Sequence, residues 1–567
     1  MKPLSAAVAA MILALTLAWW ASPTPSVQAS GGSCDTISYQ YRGSYLSPAA
    51  DTGAAEIVKY DPATERLFVV NAVENKIDAI DISDVANPTL AFQIDVDGAP
   101  NSVDVKNGTV AVAAAADPKT DPGTVYFYDT AGTLISAVEA GALPDMITFT
   151  PDGQAVVVAN EGEPNDDYTT DPEGSVTLVD LSGGVAGVTQ ADVTQVGFSD
   201  FNVGGPRADD LPDGVRIFGP GASVAQDLEP EFIAIWNGKA YVTLQENNGV
   251  AIIDLATAYI DAIVALGTKD YNVAANAIDV SNEDGAINIQ PWPVQGYYMP
   301  DAIAAWEIGG QGYLFTANEG DARDYDGYSE EARVKDLTLD PVAFPNAATL
   351  QLDENLGRLN ITTTAGDTDG DGDFDALYNY GGRSFTIWSA TDGTLLYDSA
   401  NEIETRTAAI VPEWFNSNGT TASFDSRSDD KGAEPEAVTV GAVEGCDFVF
   451  VGLERTGGTL VYSLAEPAAP SYAGYIDNRT PGGPGDDGDL GPEGSLLIDA
   501  ADSPTGNALY VTANEISNTT SLYELFVSDP TAVTIAAFDA DTPLGALPLL
   551  AATLLIGVLG LALLRRR

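Results

Sequence analysis

The sequence predicts an all-β protein, a seven-bladed β-propeller with long loop insertions. Three observations predict it. A two-strand unit recurs seven times between residues 56 and 515. The paired strands alternate or are β-branched and are split by turn signals such as Pro151-Asp152-Gly153 and Asn237-Gly238. Helical periodicity is nearly absent, with residues 257–266 the best short candidate for a helix. A sandwich array or a solenoid would not place an acid at the same two points of each unit.

The elements follow in order. Lys2 precedes an apolar run over residues 6–20, and Val27-Gln28-Ala29 supplies a small-x-small cleavage pattern. Residues 1–29 therefore read as a secretory signal peptide, the apolar run being short for a membrane helix. The propeller domain is placed at residues 30–530. Residues 37–41 and the late stretch 532–537 are the candidates for closing the ring by pairing inside one blade, which removes open edges.

The units begin at Glu56, Pro100-Asn101, Pro144-Asp145, Pro230-Glu231, Pro300-Asp301, Pro435-Glu436 and Pro492-Glu493. Six of the seven second strands lead to a glutamate: Glu74, Glu161, Glu246, Glu319, Glu454 and Glu515. The unit at Asn101 has no closing acid. Third strands follow most copies, as over residues 76–82, 176–180, 250–255 and 460–464. Insertions break the period at about 183–225, 256–298 and 320–382; loops this long are usually functional or mobile. Residues 531–543 form a linker or closing strand. The apolar stretch 544–564, followed by Arg565-Arg566-Arg567, is long enough to span a bilayer as an anchoring or sorting segment. That orientation puts the bulk of the chain outside the cytoplasm.

The chain carries 83 acidic against 24 basic residues, a net charge of −59. Nucleic acid is excluded as a partner, because phosphate binding needs clustered Lys and Arg. A salty habitat accounts for bulk acidity but not for acids at fixed positions. Histidine is absent altogether. That excludes Ser-His-Asp and Cys-His catalysis and His-ligated zinc, iron or copper. Two cysteines, Cys34 and Cys446, either bridge the N-terminal segment to a late unit or remain separate thiols.

If strand one is innermost, its first residue and the end of strand two lie at the same face of the disc. Glu56, Asp145, Glu231, Asp301, Glu436 and Glu493 then ring the channel mouth. Glu74, Glu161, Glu246, Glu319, Glu454 and Glu515 form a second ring outside them. The loop beyond Glu319 hangs over the funnel. So many carboxylates repel unless something positive is present. Calcium, which takes six to eight oxygens, is one remedy. Pairing with Arg323, Arg333, Lys335 and Arg455, or capping of backbone N–H groups, is the other. A second calcium signal is the run Asp367, Asp369, Asp371, Asp373 and Asp375, spaced like the front half of an EF-hand loop. Its twelfth position is Tyr378 rather than Glu, so it reads as an isolated calcium loop or as a solvated acidic turn.

The stretches EIVKYDPATERLFVVNAVEN, ANEGDARDYDGYSEEARVKDL, GLERTGGTLVYSL and GDLGPEGSLLIDAADSPTGNALYVTANEISNTTSLYEL occur in one order over roughly residues 38–528. In these the chain resembles the choice-of-anchor I family. The resemblance implies an extracytoplasmic, propeller-like protein with a C-terminal anchor, whose relatives are labelled alkaline phosphatase-like or mesenchyme-specific cell surface glycoprotein. It supplies no catalytic residues to carry over. A zinc-type phosphatase mechanism is closed to a chain without histidine. A calcium-dependent propeller phytase is the better analogue, by fold-level analogy.

Three readings follow. The first is a surface-anchored propeller that binds calcium and an unknown extracellular ligand through the acidic funnel. The second is a calcium-dependent phosphoric ester hydrolase acting on a phosphate ester, with Glu319, Asp321 or Asp324 on the metal and Arg323 or Arg455 on the phosphoryl group. The third is a structural or adhesive envelope protein. The few basic residues near the funnel favour binding over catalysis.

Overall fold

The structure is a computed structural model, and it describes residues 34–48 and 53–527. Seven four-stranded antiparallel sheets dominate the described residues. In chain order they begin with Val58–Asp61, Ala99–Lys106, Pro144–Phe149, Pro230–Trp236, Ile303–Ile308, Pro435–Val443 and Pro492–Ile498. These first strands touch one another in succession, and the strand of the seventh sheet returns to that of the first. The result is a closed, β-propeller-like ring. The first strands line a central channel with a cavity of about 320 Å³. They are therefore innermost, as the sequence reading requires.

Closure uses the N-terminal strand. Ile37–Leu46 pairs antiparallel with Thr519–Val527 on the outside of the seventh sheet. The expected early strand is present. Its partner is Thr519–Val527, and the alternative at residues 532–537 lies outside the described residues. So do the signal-peptide expectation at 1–29 and the anchor expectation at 544–564. Among the described residues no helix is long and apolar enough to cross a membrane. A Cys34–Cys446 disulfide, with Cα atoms 5.5 Å apart, fastens the closing segment to the sixth sheet.

The core lies between sheets. Each neighbouring pair shares one apolar cluster, such as Phe68, Val70, Val103 and Val112 between the first and second. Val449, Val451, Phe385 and Tyr462 form another between the fifth and sixth. Alternating strands bury both faces in this way, because every sheet is sandwiched by two others.

Residues 257–266 are not helical. Tyr259–Ala265 is the outer strand of the fourth sheet. A register shift opposite Ile252/Ile253 leaves Asp261 unpaired. The bulge puts buried Ile260 and Ile263 three residues apart on one side, which imitates a helical period. The one helix of more than two turns among the described residues is Glu402–Ile410. Its buried positions are Ile403, Glu404 and Thr407, too few apolar residues to make a stripe. It belongs to a further insertion, residues 399–434, that the period did not reveal.

The insertions are built structures rather than open loops. Tyr271, Val280, Trp292, Val334, Leu356 and Ile361 form a separate core. Two of the insertions join in a small sheet of Thr268–Asp270, Gln295–Tyr297 and Tyr378–Asn379. Buried Lys269 ties them to the ring by donating to the carbonyls of Gly382 (3.0 Å) and Ala400 (2.6 Å).

Candidate metal centre at the channel mouth

A local device repeats where each innermost strand begins. In five sheets the register slips just after a proline: Pro100/Ser102, Pro144/Met146, Pro230/Ile233, Pro435/Val438 and Pro492/Gly494. The residue after the proline, Asn101, Asp145, Glu231, Glu436 or Glu493, drops out of the ladder, with Phe232 and Ala437 skipped as well in two of the sheets. Proline has no N–H to give to the ladder, and the bulge re-aims the following side chain. Leu143 and Glu434, each immediately before such a proline, and Met299, before Pro300, hold left-handed backbone (φ 46°, 53° and 46°). That conformation is costly for residues with a Cβ.

The side chains so aimed gather at one place. Glu56, Asn101, Asp145, Asp301 and Glu493 line a cavity of about 260 Å³ at the mouth of the channel. Ligand oxygens of Asp301, Glu319 and Glu436 lie within 4.8 Å of one another. Glu436 is also within hydrogen-bonding reach of Asp301, Glu454 and Glu493. None of Glu56, Asp145, Glu231, Asp301, Glu436 and Glu493 pairs with a basic side chain among the described residues. The Oε2 atoms of Glu231 and Glu436 are buried without a partner.

The electrostatics follow. Burial, then the fields of Glu515 and Asp145, push the Glu56 carboxyl up to about 8. Burial and Glu163 push Asp145 to about 7. Burial and neighbouring carboxylates hold Glu161, Glu231, Asp301, Glu436 and Glu493 well above the usual range.

The outer positions differ among themselves. Glu319, 8 % exposed, accepts from Lys431 Nζ (2.8 Å) and Gln245 Nε2 (3.1 Å). Glu454 pairs with Arg455 (2.9 Å). Glu246 is buried with its Oε2 unpartnered. Glu161 and Glu515 are half-buried. Glu74 stands apart at the surface on Lys76 (3.2 Å). The close passage of Glu319 past the third insertion depends on glycine. Gly320 (φ 90°) and Gly381 (φ 76°) have left-handed backbone, and a Cβ on Gly381 would collide with the Glu319 carbonyl.

The expected counter-ions are distributed differently. Arg323 is 1 % exposed and is clamped by Asp227 and Glu229, so no face of it is open to a phosphoryl group. Arg333 binds Asp429 and Lys335 binds Asp353, both away from the funnel. Arg455 is shared by Glu434 and Glu454. Asp324 is exposed on a short hairpin with Ser329, and Asp321 reaches Lys431 at 3.3 Å. The residues that the sequence reading missed are Lys431, Glu434, Asp227 and Glu229. Burial opposes ionisation of Glu434, but Lys431, Arg427 and Arg455 outweigh it and hold the carboxyl at about 2. The two Glu-Pro-Glu triplets, 229–231 and 434–436, were the available signal: in each, the first glutamate is ion-paired and the second has no basic partner among the described residues.

The aspartate run divides. Asp367, Asp369 and Asp371 converge within 4.8 Å at the surface, and Asp373 and Asp375 group with Asp340 instead. Asp367 accepts from the N–H groups of Gly370 (2.7 Å) and Gly372 (3.1 Å), and Asp375 from that of Thr368 (2.9 Å). Tyr378 is in the small inter-insertion sheet.

Gigasin-3a of Magallana gigas is 33% identical over 190 residues, 31% of this chain and 66% of that protein. A mesenchyme-specific cell surface glycoprotein of Strongylocentrotus purpuratus is 27% identical over 304 residues, 46% of this chain and 36% of that protein. The chain thus spans about two thirds of the first relative and about a third of the second. Among solved structures, Kuenenia stuttgartiensis hydrazine synthase aligns over 85% of this chain and 100% of its own, with 13% identity and a TM-score of 0.44. The choice-of-anchor I domain profile matches residues 56–467, well over half of the sequence, and the chain belongs to the choice-of-anchor I family.

Proposed function

We propose that this chain is an extracytoplasmic, seven-bladed β-propeller that binds divalent cations, calcium foremost, in the carboxyl ring at its channel mouth. The observation that carries the reading is the absence of any basic partner for the six inner-ring carboxylates among the described residues, while Glu319, Glu434 and Glu454 just outside them are paired. An uncompensated set of buried carboxylates calls for a cation or for shared protons. Every donor at the mouth is oxygen, which suits a hard cation. Bonds of about 2.4 Å on opposite sides of a calcium ion span about 4.8 Å. The ligand oxygens of Asp301, Glu319 and Glu436 lie within that span of one another.

Family membership and the cell-surface relative support a place outside the cytoplasm or at the cell surface. The disulfide supports an oxidising compartment. The surface aspartates 367, 369 and 371 are a second, weaker calcium candidate. A calcium ion at the mouth would leave coordination positions for an oxygen-rich extracellular ligand. Phosphoryl transfer is the lesser reading, because Arg323 is buried and Arg455 is already shared between two carboxylates.

Calorimetric titration of the EDTA-stripped chain tests the reading. Calcium binding is expected, and Glu436→Gln, which keeps shape and removes charge, abolishes the inner-ring event. Absence of heat in the parent chain, with no change in melting temperature, would overturn it.

A further inference from the structure

Among the described residues, Glu319 alone belongs to two convergent carboxylate groups. It lies with Asp301 and Glu436 at the mouth, and with Glu434 and Glu454 just outside, the ligand oxygens of each group falling within 4.8 Å of one another. Asp301 and Glu436 have no basic partner among the described residues. Glu434 has three, Lys431, Arg427 and Arg455, and Glu454 shares Arg455. Glu319 therefore stands on the boundary between the bare ring and the neutralised rim.

Both of its oxygens face a donor. Oε1 accepts from Lys431 Nζ at 2.8 Å, and Oε2 from Gln245 Nε2 at 3.1 Å. The Gln245 amide is neutral and can share an oxygen with a metal ion. The Lys431 ammonium is not neutral. A cation bonded to either oxygen of Glu319 would stand within the screening length of that ammonium, about 8 Å at physiological salt, and the two would repel. Lys431 has somewhere else to go. Its Nζ is already 3.3 Å from Asp321 Oδ1 and 3.7 Å from Glu434 Oε2, so leaving Glu319 does not strand a buried charge. The backbone beside it is fixed. Arg383 Nη2 donates to the carbonyls of Ser428 (2.9 Å) and Asp430 (2.7 Å), which confines the change to the side chain.

We infer that Lys431 is a tethered competitor for the mouth cation: a divalent ion takes Glu319, and the ammonium falls back on Asp321 and Glu434. The inference rests on the cation-binding reading and names the residue that sets the affinity and charge selectivity of that site. Exchanging the ammonium for sodium puts one positive charge where one already stood, and gains little. Exchanging it for a divalent ion adds a charge to a ring that is short of them. Lys431 thus weakens calcium binding enough to keep it reversible, and holds monovalent salt off Glu319.

Amine acylation read by mass spectrometry tests this on the full chain stripped with EDTA. Lys335, paired with Asp353 away from the funnel, is the internal reference. Saturating calcium should raise labelling of Lys431 severalfold relative to Lys335, and sodium chloride of matched ionic strength should leave it unchanged. By calorimetry Lys431→Met should bind calcium about tenfold more tightly. Lys431→Arg, which keeps the charge, should stay near the parent affinity. The labelling needs no substitution, so it decides the matter if Lys431→Met folds poorly by circular dichroism. A parent chain that takes up calcium while Lys431 stays protected, or a folded Lys431→Met chain of parental affinity, overturns the competition alone. Equal labelling in sodium overturns the charge selectivity. A parent chain that binds no calcium overturns this inference together with the reading beneath it.

Discussion

Raising the pH of the cation-free chain should weaken its fold, and calcium should restore it. The perturbation acts on carboxyls whose protonated form the fold favours. Glu56 is lifted from its ordinary 4.5 to about 8, and Asp145, Glu246 and Glu454 to about 7. Between about pH 4.5 and 8 the folded chain therefore holds protons that the unfolded chain has lost. Their contribution is complete below the ordinary carboxyl range and disappears as the pH climbs through 7 to 8. Each decade of proton affinity is worth about 1.4 kcal/mol, so Glu56, displaced from 4.5 to about 8, accounts for at most roughly 5 kcal/mol. Solvent at this half-buried side chain reduces that figure to a few kcal/mol. Several degrees of melting temperature should be lost between pH 5 and 9 in EDTA. Calcium at a hundred times its dissociation constant returns about 2.7 kcal/mol per site. The assay is thermal unfolding across that pH range in EDTA, in calcium, and in sodium chloride of matched ionic strength. The sodium arm separates ring occupancy from screening of the bulk charge. Coincident EDTA and calcium curves would refute the reasoning, since the ring would then need no cation.

Three further outcomes are expected. Arg323→Met leaves Asp227 and Glu229 buried without their counter-ion and should cost about 3–5 kcal/mol in denaturant unfolding; a loss under about 1 kcal/mol would mean that water reaches the pair. Gly381→Ala drives a Cβ against the Glu319 carbonyl at left-handed backbone, so both stability and calcium affinity should fall, and an unchanged titration would show that Glu319 plays no part. Replacing Cys34 and Cys446 together by serine frees the closing strand from the sixth sheet and should cost about 2–5 kcal/mol; equal unfolding midpoints would show that strand pairing alone holds the ring shut.

Much of the ring was legible because its signals are local. Five of the seven innermost strands announce themselves by a proline, an acid and an apolar run, and the return of strand two puts both acidic positions at one face. The pairing of charges was not legible, because it is set by the insertions. Lys431 reaches Glu319 across 112 residues, and Arg323 reaches Glu229 across 94. Sequence neighbours such as Arg323 and Glu319 looked like partners and are not. The strand at Tyr259–Ala265 was hidden by its bulge. The helix at Glu402–Ile410 was hidden because buried Glu404 stands where an apolar residue would have marked it, bonded to Arg383 at 2.8 Å.

Where the basic residues go bears on why the inner ring is bare. The chain has only 24 of them, yet several reach the funnel. Lys431, Arg427 and Arg455 converge on Glu434, and Arg323 is divided between Asp227 and Glu229. Each of those acids lies one step outside the mouth. In both Glu-Pro-Glu triplets the proline marks the division, with a compensated glutamate before it and an uncompensated one after it. Four of the unpaired inner-ring acids, Asp145, Glu231, Glu436 and Glu493, sit at β-bulges, and Asp145, Asp301 and Glu436 each stand two residues after a left-handed residue, Leu143, Met299 or Glu434. Backbone strain and unpaired buried charge both lower stability, and their concentration at one rim is the pattern expected where a binding site is held ready. The fold tolerates that rim because each sheet is packed on both faces by its neighbours and the ring is latched by strand and disulfide.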